Sequence, residues 1–157
     1  MTAADKAQAK AFSTRVFPSI LSLLPISVVA PSVGLVVLPF MSDIAAIAIG
    51  TAVTGAIYAA VLLNSPVVSV SSGKDAELRV GRARIPVRYV SNVQIISGET
   101  LRFEKGPGLK ARAYFVNQAG AKEFVKLTIN DASDPTPYWL FAVRKADDLV
   151  VALHTNR

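Results

Sequence analysis

The chain has 157 residues, room for one ordinary domain and an appendage. It is 52% hydrophobic and only 18% charged, with a net charge of +6, which is more apolar than a usual soluble domain. There is no cysteine, which excludes disulfides, thiolate metal sites and cysteine nucleophiles.

The charge is unevenly placed. Residues 1–15 form a polar tip with Lys6, Lys10 and Arg15 against Asp5. From residue 16 to residue 63 the only charged side chain is Asp43, which separates an uncharged run at 16–40 from another at 44–63. A membrane-crossing helix needs about 20 apolar residues, and neither run has a polar face. A buried pair of core helices would not be so long or so uniformly apolar. A cleaved signal peptide would have an apolar core of about 7–15 residues followed by soluble chain. The pattern therefore predicts a transmembrane helical hairpin at 16–63, with spans at about 16–40 and 44–63. Pro25, Pro31 and Pro39 bend the first span, with Ser22 and Ser27 at hand to satisfy freed carbonyls. Ala48, Ala52, Ala56 and Ala60 make a small-residue stripe on the second. Its simpler use is packing on the first span; the alternative is a seam between two copies. Ser42 or Asp43 suits the cap of the second span. Lys and Arg flank the hairpin on both sides and are missing from the turn at 41–43, which puts both termini in the cytoplasm and the chain in the cell membrane.

Residues 64–157 carry fourteen Lys/Arg against nine Asp/Glu and read as a β-rich domain. Gly73, Lys74 and Asp75 mark a turn. Leu78, Val80, Ala83, Ile85, Val87 and Tyr89 then alternate with Glu77, Arg79, Arg82, Arg84 and Arg88, the period of half-buried strands, with a phase shift at Gly81. A strand at 90–96, a short helix opened by Ser97 and stopped by the glycines and proline of 106–108, and strands at 113–116, 124–129 and 138–143 follow. Asp147 and Asp148 open a last helix with Leu149, Val150, Ala152 and Leu153 on its apolar face. The fold class expected is an α+β membrane protein: a two-helix hairpin plus a small antiparallel β domain closed by a C-terminal helix, the plan of pleckstrin-homology (PH)-like domains.

Three stretches have a familiar look: ELRVGRARIP at 77–86, RAYFV at 112–116 and DASDPTPYWLFAVRK at 131–145. Across nearly its whole length the chain resembles the DUF3093 family of actinobacterial membrane proteins, which have two N-terminal spans followed by such a domain. It departs from that pattern in lacking a tryptophan-rich start to the first span, and in having Lys145 and Ala146 where a proline precedes the last helix. The resemblance implies location and architecture, and it carries over no catalytic residue.

Two groups are candidate sites. Lys74, Arg79, Arg82, Arg84 and Arg88 form a basic strand face that suits anionic lipid headgroups or a membrane protein partner; the plainer reading is a solvated face that also signals topology. Asp131, Asp134, Tyr138 and Trp139 make either a structural turn over a buried aromatic pair or a partner-binding rim. Nucleic acid is discounted because no basic stripe is interleaved with exposed aromatics. No metal set, cofactor loop or catalytic constellation is evident. His154 stands alone, and Glu99, Glu104 and Glu123 have no discernible partner. The function expected is a membrane-anchored cytoplasmic binding or scaffold module, or alternatively an accessory subunit of a larger membrane assembly engaged through its hairpin. The partners expected are membrane lipids and a membrane protein or a second copy of the chain.

Overall fold

The computed structural model describes residues 10–156 apart from Lys74 and Ala132. It has two compact units: Phe17–Ser65, and the chain on either side of that segment. The point of insertion departs from expectation. Residues 10–15 do not belong to a separate polar tip. They form strand β1 (Lys10–Arg15), which pairs antiparallel with β2 (Val67–Ser71). Phe12 packs on the core while Ala11, Ser13 and Arg15 are exposed, the alternation of an ordinary edge strand. Val16 is buried, and its N–H donates to the Pro66 carbonyl at 2.9 Å. The apolar unit is therefore an insertion between two paired strands, with bounds 17–65 in place of 16–63.

The β unit holds two four-stranded sheets. The first is β1, β2, β3 (Glu77–Val80) and β4 (Ala83–Pro86), in that order and antiparallel throughout. The phase shift at Gly81 is a two-residue turn in which Gly81 takes a φ of 59°, at the first central position where a hairpin favours glycine. Alternation over 83–89 reflects one strand and a 3-10 turn (Val87–Tyr89), not one longer strand. The second sheet runs β5 (Val90–Ser97), β7 (Glu123–Ile129), β8 (Tyr138–Ala142), β6 (Tyr114–Val116). It is not wholly antiparallel: β6 and β8 both run opposite to β7, so they pair parallel as neighbours. Helix α5 (Ala146–Thr155) packs against β1, β2, β5 and β7 and puts Leu149 and Leu153 into a core shared by both sheets. That core includes Val68, Leu78, Phe124, Leu140 and Phe141, each fully buried and worth about 1.5–3 kcal/mol to bury.

The inserted unit is a pair of antiparallel helical segments. The first runs as α1 (Ile20–Leu23), a 3-10 stretch Leu24–Val28, α2 (Val29–Val37) and a second 3-10 stretch Leu38–Phe40. Pro25 and Pro39 open the two tighter stretches, where a missing N–H is tolerated. The second is α3 (Asp43–Leu63), continuous over its whole length. Ser19 caps α1 by accepting from the Ser22 N–H, whereas Ser42 stands at the N-cap of α3 without a side-chain capping bond and Asp43 lies in its first turn. The Tyr58 hydroxyl donates to the Leu23 carbonyl at 3.1 Å and accepts from Ser27 at 2.8 Å, tying α3 to the bend.

The stripe Ala48, Ala52, Ala56, Ala60 does not pack on the first segment; all four residues are exposed. The buried stripe of α3 is Ala46, Gly50 and Thr54, about 200° away around the helix. Glycine decides between them. A Cβ at Gly50 would collide with the Ala30 carbonyl oxygen, so the backbones approach more closely than alanine permits. Gly55 has nothing within 4 Å of the same position. Gly50→Val is expected to lower the far-UV thermal midpoint of the full chain in detergent, by an overpacking cost of about 1–3 kcal/mol. Gly55→Val should leave it nearly unchanged, and equal effects would show that the close approach is not limiting.

Candidate functional site

Strand register assembles the basic face. One rung of the first sheet reads Ser13, Ser69, Arg79, Arg84 from edge to edge, with its side chains on the outer face. Arg79 and Arg84 thus stand directly opposite each other on adjacent strands, an arrangement that costs stability. Among the described residues no carboxylate lies within ion-pair distance of either, the pairs formed being Lys126–Glu104 and Lys145–Asp148. The Arg79 Nε leans toward the turn and donates to the Gly81 carbonyl at 3.4 Å. The next position along the same face is Arg15 opposite Val67, whose carbonyl accepts the Gly81 N–H at 2.9 Å. Arg82 is exposed in that turn. Arg15, Arg79, Arg82 and Arg84 therefore gather at the end of the sheet where the chain departs into the apolar unit and returns from it. Arg15 escaped the reading of the sequence. Its signal was the alternation of Phe12, Thr14 and Val16 with small or charged residues, weak because only two of the inward positions are strongly apolar.

Arg88 does not join this group. It lies beyond the far end of β4, on the 3-10 turn, with its guanidinium 5.0 Å from the centroid of the Tyr89 ring. There it lines a cleft of about 370 Å³ with Asp75, Pro86 and Asn156. Lys74 lies outside the described residues.

The second candidate group is built into the scaffold. Asp131 Oδ1 accepts from the Ser133 hydroxyl at 2.7 Å and from its N–H at 2.9 Å, and these bonds, the hydroxyl first, hold its carboxyl below the usual carboxylate range. Asp134 Oδ1 accepts from the Thr136 N–H at 2.9 Å across Pro135. Each is a side chain closing a turn on its own backbone two residues on. Tyr138 is buried; its hydroxyl accepts from the Lys110 N–H at 2.9 Å and donates to the Gly108 carbonyl at 3.2 Å. Trp139 is buried with its ring 4.9 Å from that of Tyr114. Glu104 proves to have a partner, Lys126 at 2.6 Å, which the separation of the two residues in sequence concealed.

The family described as "Protein of unknown function (DUF3093)" matches residues 11–153. The chain belongs to the DUF3093 family. Because the match starts at residue 11, the DUF3093 pattern takes in β1 as well as the apolar unit and the rest of the β unit. Comparison with curated proteins finds no match, and comparison with solved structures finds none.

The Arg79–Arg84 rung yields a direct test of whether these arginines serve the fold. Arg84→Glu replaces a like-charged cross-strand pair with an attractive one and is expected to stabilise the β unit by about 0.2–1 kcal/mol. Trp139, the single tryptophan and buried in that unit, reports its unfolding by fluorescence. A lowered thermal midpoint would mean that Arg84 contributes to folding.

Proposed function

We propose that this DUF3093 protein is a membrane-anchored cytoplasmic binding module whose first sheet presents an arginine edge to anionic lipid headgroups. In this reading the apolar unit crosses the cell membrane twice, both termini stay inside, and the β unit is a PH-like domain held at the membrane surface. Both helical segments have the length and apolarity for a crossing, with mean hydropathies of 2.3 and 2.0. Gly34 in the first segment and Ala46, Gly50 and Thr54 in the second are the buried residues, unlike a soluble core helix. Lys and Arg are absent from the tip at 41–43 and present on both flanks. The PH-like reading draws on two sheets and a closing C-terminal helix around one core; the parallel β6–β8 pair departs from it.

The observation that carries the proposal is the hydrogen-bonded run of Val16 to Pro66 and Val67 to Gly81. A residue spans at most about 3.6 Å of chain, so Arg15 lies within about 7 Å of the start of the insertion. Arg82, Arg79 and Arg84 follow along the same sheet end. Each basic group near an anionic leaflet contributes roughly 1 kcal/mol, so four acting together give useful docking. The second reading, an accessory subunit or a self-associating chain, draws on the exposed alanine stripe of α3, where another helix can approach closely.

The chain has no cysteine, so single probes are unambiguous. Ser42→Cys and Ser72→Cys are expected to react with an impermeant thiol reagent from opposite sides of a sealed membrane; reaction from one side would rule out the two-span topology. A fluorophore on Ser69→Cys, between Ser13 and Arg79 on the rung, is expected to be quenched more by brominated anionic lipid than by brominated zwitterionic lipid. That preference should fade at high salt and vanish in Arg79→Ser/Arg84→Ser. Equal quenching by both lipids would overturn the headgroup assignment and turn attention to a protein partner.

A further inference from the structure

A second basic feature lies on the other sheet, apart from the arginine rung. Where β5 ends and helix α4 (Gly98–Lys105) begins, a cleft of about 690 Å³ opens against the start of β7. Arg102 and Lys105, three residues apart on α4, line it together with Lys122 from the loop leading into β7. Spacing of three puts the two α4 cations on the same side of the helix. The cleft has one acidic lining residue, Glu123. Among the described residues none of the three cations has a carboxylate within ion-pair distance. The acid next to Lys105 in sequence, Glu104, is committed to Lys126 at 2.6 Å. Lys105 is held in position, its ammonium 4.7 Å from the centroid of the Phe124 ring. Leu101 is buried and lines the same cleft, and a Cβ at Gly98 would meet nothing within 4 Å, so that edge stays open.

We infer that this cleft binds a phosphate-bearing anion, through Arg102, Lys105 and Lys122. Three unneutralised cations from two segments converge on one concavity with a net excess of positive charge. Arginine offers paired N–H donors to phosphate oxygens, and lysine adds a mobile point charge. The volume lies in the range of small-molecule sites and exceeds what a lone phosphate fills, so the ligand carries an organic body over Leu101 and Ala121. The same chemistry is offered by a phospholipid headgroup and by a soluble phosphorylated metabolite. The site does not depend on the membrane reading, because its residues lie on α4 and the loop before β7, while the rung lies on β3 and β4.

The test is a titration of the full chain in zwitterionic micelles, followed by the backbone amide signals of Gly98, Gly106 and Lys122. One arm uses glycerol 3-phosphate and pyrophosphate; the other uses short-chain phosphatidylglycerol. Saturable shifts with the first arm identify a soluble phosphate ligand, and saturable shifts confined to the second identify a headgroup. In either case Arg102→Ser/Lys122→Ser should weaken binding at least tenfold with an unchanged Trp139 fluorescence midpoint. Arg79→Ser/Arg84→Ser should leave binding intact, which separates this site from the arginine rung. The inference is overturned if no titrant shifts these amides, if the cleft variant binds as well as the parent chain, or if the rung variant loses binding equally.

Discussion

The pairing of β1 with β2 is the constraint on which the rest of the architecture depends. These strands are neighbours in the sheet, yet the whole apolar unit lies between them in sequence. An antiparallel pair is usually closed by a loop of a few residues. Here the Val16 N–H and the Pro66 carbonyl close the gap, and the insertion is a helical hairpin that brings the chain back toward its start. Because closure entropy grows only slowly with length, a long insertion that organises its own ends is tolerated at little cost. The consequence for the β unit is that it has no independent start after the hairpin. A chain beginning at Pro66 would lack the edge strand that pairs with β2 and would lose the buried Val16.

The role proposed for the arginines rests on the same junction. Four of the nine acids at 64–157 are occupied: Glu104 holds Lys126, Asp148 meets Lys145, and Asp131 and Asp134 close turns. None of them opposes the Arg79–Arg84 rung. A sheet selected only for stability would set opposite charges across such a rung. Leaving two arginines face to face on one rung is unfavourable for the isolated fold, a cost that the proposed external anion would offset. The cleft beside α4 follows the same logic, since Glu104 turns to Lys126 and leaves Lys105 without an acid.

Within the apolar unit, polar side chains find partners inside their own segment or its neighbour. The Ser32 hydroxyl donates to Val28, Thr51 to Ile47 and Thr54 to Gly50, each to the carbonyl four residues back. Tyr58 bridges to the bend around Pro25. Internal satisfaction of this kind is what a hydrocarbon setting demands, and it accords with the membrane reading proposed above. The glycine-mediated contact at Gly50 leaves the alanine stripe facing outward, so the helix offers two small-residue faces, one already used.

Much of this was legible in the sequence because it rests on local signals. Uninterrupted apolarity marks the two helical segments, a period of two marks β3 and β4, short β-type runs mark β7 and β8, and Gly81, Gly106 and Gly108 mark the breaks. The residues of DASDPTPYWL announced a rigid turn into a strand, and their hydrogen bonds are local too. What eluded the sequence depends on contacts between distant segments. β1 is short, weakly apolar and separated from its partner by the whole insertion, so only pairing identifies it. The alanine and glycine stripes of α3 have the same spacing, and backbone approach chooses between them. The four arginines of 77–89 share one periodicity, but a turn and a strand end divide them, drawing Arg15 in and leaving Arg88 out. Sequence by itself determined the family and the types of most elements, because those follow from local composition and pattern. Tertiary structure alone decided which strands are neighbours, and hence which charges stand together, because register is set by hydrogen bonds across the sheet and not along the chain.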